Sequence, residues 1–242
     1  MGNYVKYALG EIVLVVIGIL IALQINNWQK EVQNKSKEQY FYAGLQSDLA
    51  QQIGNLNDRI RSEAKSIDIA NGLLTDFKVN DSFYQSDSLF YKINYLLGAP
   101  SAVNFKTTFN ELNTTGQMEL ISDREIRNQV IEFYQYSDYI SQIIESNLNN
   151  VFQRNLHPVL LNSTLFDVGS LFREDFIQDD FQLSQLPYSD RIKNVAEEQL
   201  AKNELALVNT LNLRLGIAIL HKQRYMSVKE QAEKLYKRLE PK

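Results

Sequence analysis

Ala8–Leu23 reads ALGEIVLVVIGILIAL, a run in which Glu11 is the only charged residue. From Tyr7 to Ile25 the apolar stretch is about 19 residues, enough for a helix to span the roughly 30 Å of a bilayer's hydrocarbon core. Tyr4 and Tyr7 at one end and Trp28 at the other suit the two headgroup zones, where amphipathic rings settle. A buried core helix is seldom apolar on all sides over this length. A signal peptide would leave its apolar core through small residues at a cleavage site, whereas this run leaves through Gln24-Ile25-Asn26-Asn27-Trp28. The stretch reads as one transmembrane helix, with residues 1–28 as the anchor and 29–242 as a soluble domain.

One polar position inside the run asks for a reason. At helical spacing Glu11 shares a face with Gly18, Ala22 and Asn26. Gly18 and Ala22 form a small-xxx-small pair that lets a second helix approach closely, and Glu11 and Asn26 can hydrogen-bond across such a contact. This face is the candidate interaction site. The plain alternative is that Glu11 snorkels or is neutral near the interface.

Beyond Trp28 the chain reads as helices. Four prolines and ten glycines in 242 residues are few, which favours long uninterrupted helices over a loop-rich or all-β chain. The first helix is expected to continue from the anchor to about Phe77, with a seam of Leu49, Ile53, Leu56, Ile60, Ile67, Ala70, Leu74 and Phe77 and with Glu63 as its one polar occupant. Short helices are expected at Ser88–Leu97 and Thr107–Leu112. A further helix starts at Ser122, which with Glu125 has the spacing of a capping box. Its seam is Ile126, Val130, Phe133, Ile140, Ile144 and Val151, and Pro158 ends or kinks it. Leu161–Ser189 is the least regular part. A last helix covers Asp190–Leu239 with a break near Lys202, its apolar set including Leu205, Val208, Leu211, Leu215, Ala218, Tyr225, Ala232 and Leu235. The fold class is all-α: one N-terminal transmembrane helix followed by an elongated antiparallel helical bundle. The seams suit packing within the chain and also suit an intermolecular coiled coil.

Composition removes several functions. A net charge of −4 gives no general electrostatic case for nucleic acid. The absence of cysteine excludes disulfides, thiolate metal sites, cysteine nucleophiles and lipidated cysteine. His157 and His221, the two histidines, stand without a metal-ligand partner at helical spacing, and both read as structural. The acidic group Glu174-Asp175…Asp179-Asp180 lacks the glycine and alternation of a calcium loop. No phosphate loop, nucleophile elbow or dinucleotide fingerprint occurs. The sequence leads to a protein that is not an enzyme and takes no cofactor or metal. Its expected partners are the lipid bilayer and, through the anchor, a second copy or another membrane protein.

Gly10–Trp28, GEIVLVVIGILIALQINNW, resembles the opening of an uncharacterised family of bacterial single-pass membrane proteins, a domain of unknown function. Thr108–Tyr134, with Phe109, Leu112, Gly116, Leu120-Ile121 and Arg127, resembles that family's soluble region more loosely. The resemblance implies a Gram-negative inner-membrane protein whose helical domain faces the periplasm, and it carries no activity. Lys30, Lys35 and Lys37 follow the anchor and outnumber the basic charges before it, which by the positive-inside rule alone would favour a cytoplasmic domain. The leading expectation is a membrane-anchored interaction or scaffold protein, part of an oligomer or larger membrane complex. The alternative is a ligand-sensing or accessory subunit of a membrane transport or signalling complex.

Overall fold

The computed structural model describes residues 2–83, 87–98, 101–166 and 188–240, without the side chains of residues 2–8, 10 and 87. Every regular element among them is helical. Helix α1, Gly2–Asn80, is a single rod of 79 residues, about 120 Å long at 1.5 Å per residue. After it come α2 (Asp87–Leu97), α3 (Thr107–Thr114), a 3-10 turn (Met118–Leu120) and α4 (Arg124–Ser146). A π-helical segment (Asn147–Leu156) joins α4 to α5 (His157–Ser163). Then follow α6 (Asp190–Lys202) and α7 (Glu204–Arg238), separated at Asn203, close to the expected break.

The outer part of α1 stands alone. Residues 11–37 are exposed on every side, and burial begins only at Glu38 and Phe41. This N-terminal stretch is long and apolar enough to cross a membrane, and none of its apolar window is buried against the rest of the chain. The remainder of α1 runs antiparallel to α7, so that Phe41 and Leu45 lie in one apolar cluster with Leu235 and Leu239. About 13 residues, or roughly 20 Å of helix, separate Trp28 from Phe41. The C-terminal end of α7 therefore lies at the anchor-proximal end of the bundle.

The core has two storeys. The anchor-proximal cluster joins α1 to α4, the π segment and α7 through residues such as Leu49, Leu56, Val130, Phe133, Ile144, Phe152 and Val228. The distal cluster joins α1 to α2, α5, α6 and α7 through Ala70, Leu73, Ile93, Leu96, Leu160, Leu200 and Leu211. Between them on α1 lie Glu63 and Ser66 and on α7 Arg214, while His221 lies about two turns further along α7, among residues of the first cluster, and all four are buried.

The seam of α1 differs in phase from the one its apolar residues suggest. The buried positions are Phe41, Leu45, Asp48, Leu49, Gln52, Leu56, Glu63, Ser66, Ala70 and Leu73, whereas Ile53, Ile60 and Leu74 are only partly buried beside them. Polar side chains occupy central positions because each finds a partner from elsewhere in the chain. Leu205 of the expected α7 set is exposed, while Leu211, Ala218, Tyr225, Ala232 and Leu235 are buried as expected.

The start of α4 is also capped differently. Asp123 is the N-cap, accepting from the amides of Glu125 (2.8 Å) and Ile126 (3.1 Å). Ser122 is held instead by Glu38, whose Oε1 accepts both its amide and its hydroxyl at 2.7 Å. Pro158 does not end the helical path. It sits in the first turn of α5, where its missing N–H is tolerated, directly after the π-helical segment.

Candidate functional site

The rod geometry of α1 keeps the candidate face together. At about 100° per residue, Glu11, Gly18, Ala22 and Asn26 fall within an arc of about 80°. All four are exposed, and a Cβ built at Gly18 meets nothing within 4 Å. No other described part of the chain comes to them, so the face is open to another helix. Tyr4, Lys6 and Tyr7 lie outside the residues whose side chains are described. Because the helix does not break, the phase of this face is fixed relative to the bundle. Tyr40, five turns beyond Ala22, is exposed on the same side, and Gly44 one turn further seats α3.

The structure assembles a second polar constellation, deep in the bundle. Glu63, Arg214 and His221 are each at most 4 % exposed. Arg214 Nη1 donates to Glu63 Oε2 at 3.0 Å and Nη2 donates to Ser66 Oγ at 3.0 Å. The guanidinium lies over the Phe152 ring, 5.6 Å from its centre. His221 Nδ1 is 3.4 Å from Glu63 Oε1, and its Nε2 is 3.4 Å from Nδ2 of Asn147, the first residue of the π segment. Burial pushes the Glu63 carboxyl up, but the His221 contact and the Arg214 charge outweigh it and hold it below its ordinary range. An ionised Glu63 only accepts, so the proton of this contact sits on His221 Nδ1. Burial first, and then the Glu63 charge, push the neighbouring Tyr225 phenol up to about 12, so it stays neutral.

Sealed from solvent, this layer acts as an internal clamp. It ties α1 to α7 across 151 residues of sequence. A one-turn slip of either helix would leave Glu63 or Arg214 charged and unpaired, so the clamp fixes their register. The sequence carried a signal for it. Arg214 and His221 are seven residues apart in an otherwise apolar run, and Glu63 interrupts a seam.

A third set of contacts binds a strap, residues 103–108 leading into the first turn of α3, across α1. Asp48, Gln52 and Asn55, on successive turns of α1, accept the amides of Thr108 (2.7 Å), Phe105 (2.8 Å) and Val103 (3.0 Å). Asn104 and Lys106 both donate to Asp138 of α4, at 2.9 and 2.7 Å. These side chains give the strap's backbone the partners it lacks outside a helix.

Small-molecule chemistry finds less support. A cavity of about 160 Å³ lies between the distal end of α1 and α2, lined by residues including Leu73, Asp76, Phe83, Leu89 and Lys92. It is smaller than the roughly 300 Å³ at which ordinary ligand pockets begin, and Lys92 pairs with Asp76 beside it at 3.4 Å. Among the described residues no group of three or more His, Asp or Glu side chains converges as a metal site. The acidic group at 174–180 and most of Leu161–Ser189 lie outside the described residues.

The residues of Thr108–Tyr134 form the corner between α3 and α4. Phe109 stacks on Tyr134 with ring centres 4.4 Å apart. Leu112 and Ile121 are fully buried, and Arg127 pairs with Glu119. Gly116 has φ +67°, a left-handed conformation that glycine adopts without strain. The model of a family of unknown function, DUF6090, matches residues 11–169, more than half of the chain. The chain belongs to this family. The match takes in the apolar rod, the strap and the α3–α4 corner, but ends before α6 and α7. No curated protein and no solved structure matches the chain.

Proposed function

We propose that this member of the family is a non-enzymatic, membrane-anchored interaction or scaffold protein. Its helical bundle stands in the periplasm of a bacterial cell, and its anchor in the inner membrane packs against a second copy or another membrane protein. One observation carries this reading: α1 runs unbroken from the exposed apolar stretch into the centre of the bundle. Whatever holds the anchor therefore sets the position and rotation of the whole domain. Lipid gives helices no hydrophobic reason to associate, so the contact would rest on close packing at Gly18 and Ala22 and on hydrogen bonds from Glu11 and Asn26. The same continuity supports a second reading, an accessory or sensing subunit, because Glu63 of the buried clamp lies on the rod that enters the membrane.

The chain's lack of cysteine makes the test direct. Cysteines introduced at Gly18 or Ala22 are expected to cross-link in native membranes to a second copy or to one partner, while those at Ile17 or Leu20 are not. Equal cross-linking around the helix would reduce the face to lipid-exposed surface.

A further inference from the structure

The path from α4 to α5 places an apolar residue at every fourth position. Ile140, Ile144, Leu148, Phe152, Leu156 and Leu160 are all buried, at most 8 % exposed. The row passes from the anchor-proximal storey into the distal one. An α-helix gains about 40° at each step of such a row, so by Leu160 it would have turned about 200° away from Ile140. The row keeps to one side because Asn147–Leu156 is wound as π, with hydrogen bonds to the fifth residue and about 4.4 residues per turn. Nine steps of this looser winding take back about 160° and leave about 40°. Ten residues of π exceed the single-turn bulge usual in helices, so packing and not the backbone alone imposes them.

The same winding serves the buried clamp. Asn147 lies beside His221, and Phe152 lies against the guanidinium of Arg214. Five residues apart, they stand about 50° from each other around a π-helix. Around an α-helix they would stand about 140° apart, and only one could face α7.

We propose that Asn147–Leu156 is a conformational latch: two surplus residues are stored in its π turns, and the winding and the buried clamp hold each other in place. Five turns of α-helix take about eighteen residues, and the path from Ile140 to Leu160 uses twenty. Freed from the clamp, the segment shifts towards the tighter α winding, which turns α5 and its Leu160 out of the distal core. A disturbance at Glu63 on α1 is thereby passed through the π turns to α5. The latch goes beyond the membrane reading and does not depend on it.

The test uses the full-length chain in mild detergent. Asn149 and Gln153 are exposed and lie one in each π turn. Deleting both leaves eighteen residues along the row and sets Asn147 and Phe152 about 40° apart in α winding. The row and both clamp contacts then survive without π, and the thermal midpoint should stay within about 5 °C of the native value or rise above it. Gln135 and Gln142 are also exposed but belong to regular α4. Deleting these two turns everything beyond them by about 200° and should lower the midpoint by more than about 10 °C or prevent folding. A larger loss from the first deletion, or a smaller one from the second, overturns the stored residues. Hydrogen exchange tests the hold. Glu63→Gln should speed exchange at residues 152–160 at least about threefold more than at 126–134. In the chain shortened at Asn149 and Gln153 the same substitution should speed both stretches alike. A smaller difference in the unshortened chain, or the same difference in the shortened one, overturns the coupling between clamp and winding.

Discussion

Replacing Glu63 by glutamine should expose the strength of the buried clamp. The side chain keeps its shape but loses the charge that answers Arg214, which is 1 % exposed and has one other hydrogen-bonding partner, Ser66. Removing one member of a buried ion pair costs about 3–5 kcal/mol, because the remaining charge stays desolvated and unanswered. At a denaturant slope of about 2 kcal/mol per molar, the urea midpoint should fall by roughly 1.5–2.5 M. Adding Arg214→Met should restore about 2 kcal/mol or more of that loss, since an apolar pair costs less than one stranded charge. The sign of the pH dependence follows from the lowered pKa. Unfolded, Glu63 titrates near 4.5. Its contribution is complete above that value and is lost as the pH falls through the lower folded pKa. The gap between the native protein and Glu63→Gln should therefore be full at neutral pH and narrow below about pH 4.5. Far-UV circular dichroism during urea titration of the detergent-solubilised chain measures all three quantities. A loss under about 1 kcal/mol for Glu63→Gln, or no recovery from Arg214→Met, would refute the clamp.

Gly44→Ala should destabilise the fold even though alanine is the better helix former by about 1 kcal/mol, because the added Cβ would lie 2.6 Å from Thr108 Oγ1. Gly54→Ala, where the Cβ meets open space, should instead gain up to about 1 kcal/mol, and paired thermal melts compare them. Asp123→Ala should cost about 1 kcal/mol as the loss of an N-cap, and Glu38→Ala should speed amide exchange at Ser122 more than Glu125→Ala does. A reporter enzyme active only in the periplasm, fused after Lys242, should be active. Silence there, with activity from a cytoplasmic reporter at the same site, would reverse the orientation.

The parts legible in the sequence are those whose cause is local. Length and apolar content announce the N-terminal rod, and polar residues around Asn203 announce the break between α6 and α7. What stayed hidden depends on partners far away in the chain. The apolar pattern of α1 favours Ile53 and Ile67 as core positions, yet Gln52 and Ser66 are buried there instead, because one holds Phe105 and the other receives Arg214. Ser122 has the spacing of a cap, but Glu38 reaches it from 84 residues earlier and leaves the capping to Asp123. His221 reads as structural in the sequence and is buried here, but its contacts depend on Glu63 and Asn147 being brought to its two ring nitrogens. That Glu11, Gly18, Ala22 and Asn26 share one side of the rod follows from spacing alone, since only helical periodicity is needed to align them.

The most direct test of the whole account is the mass of the full-length protein extracted from its membrane in mild detergent, measured beside Gly18→Ile. An interaction protein assembled through its anchor should run as a multiple of the 28.0 kDa chain or as a complex with a partner. Gly18→Ile, which fills the space a neighbouring helix would need, should shift it towards the single chain. A native protein that is monomeric at 28.0 kDa, or an assembly that Gly18→Ile leaves unchanged, would contradict the account.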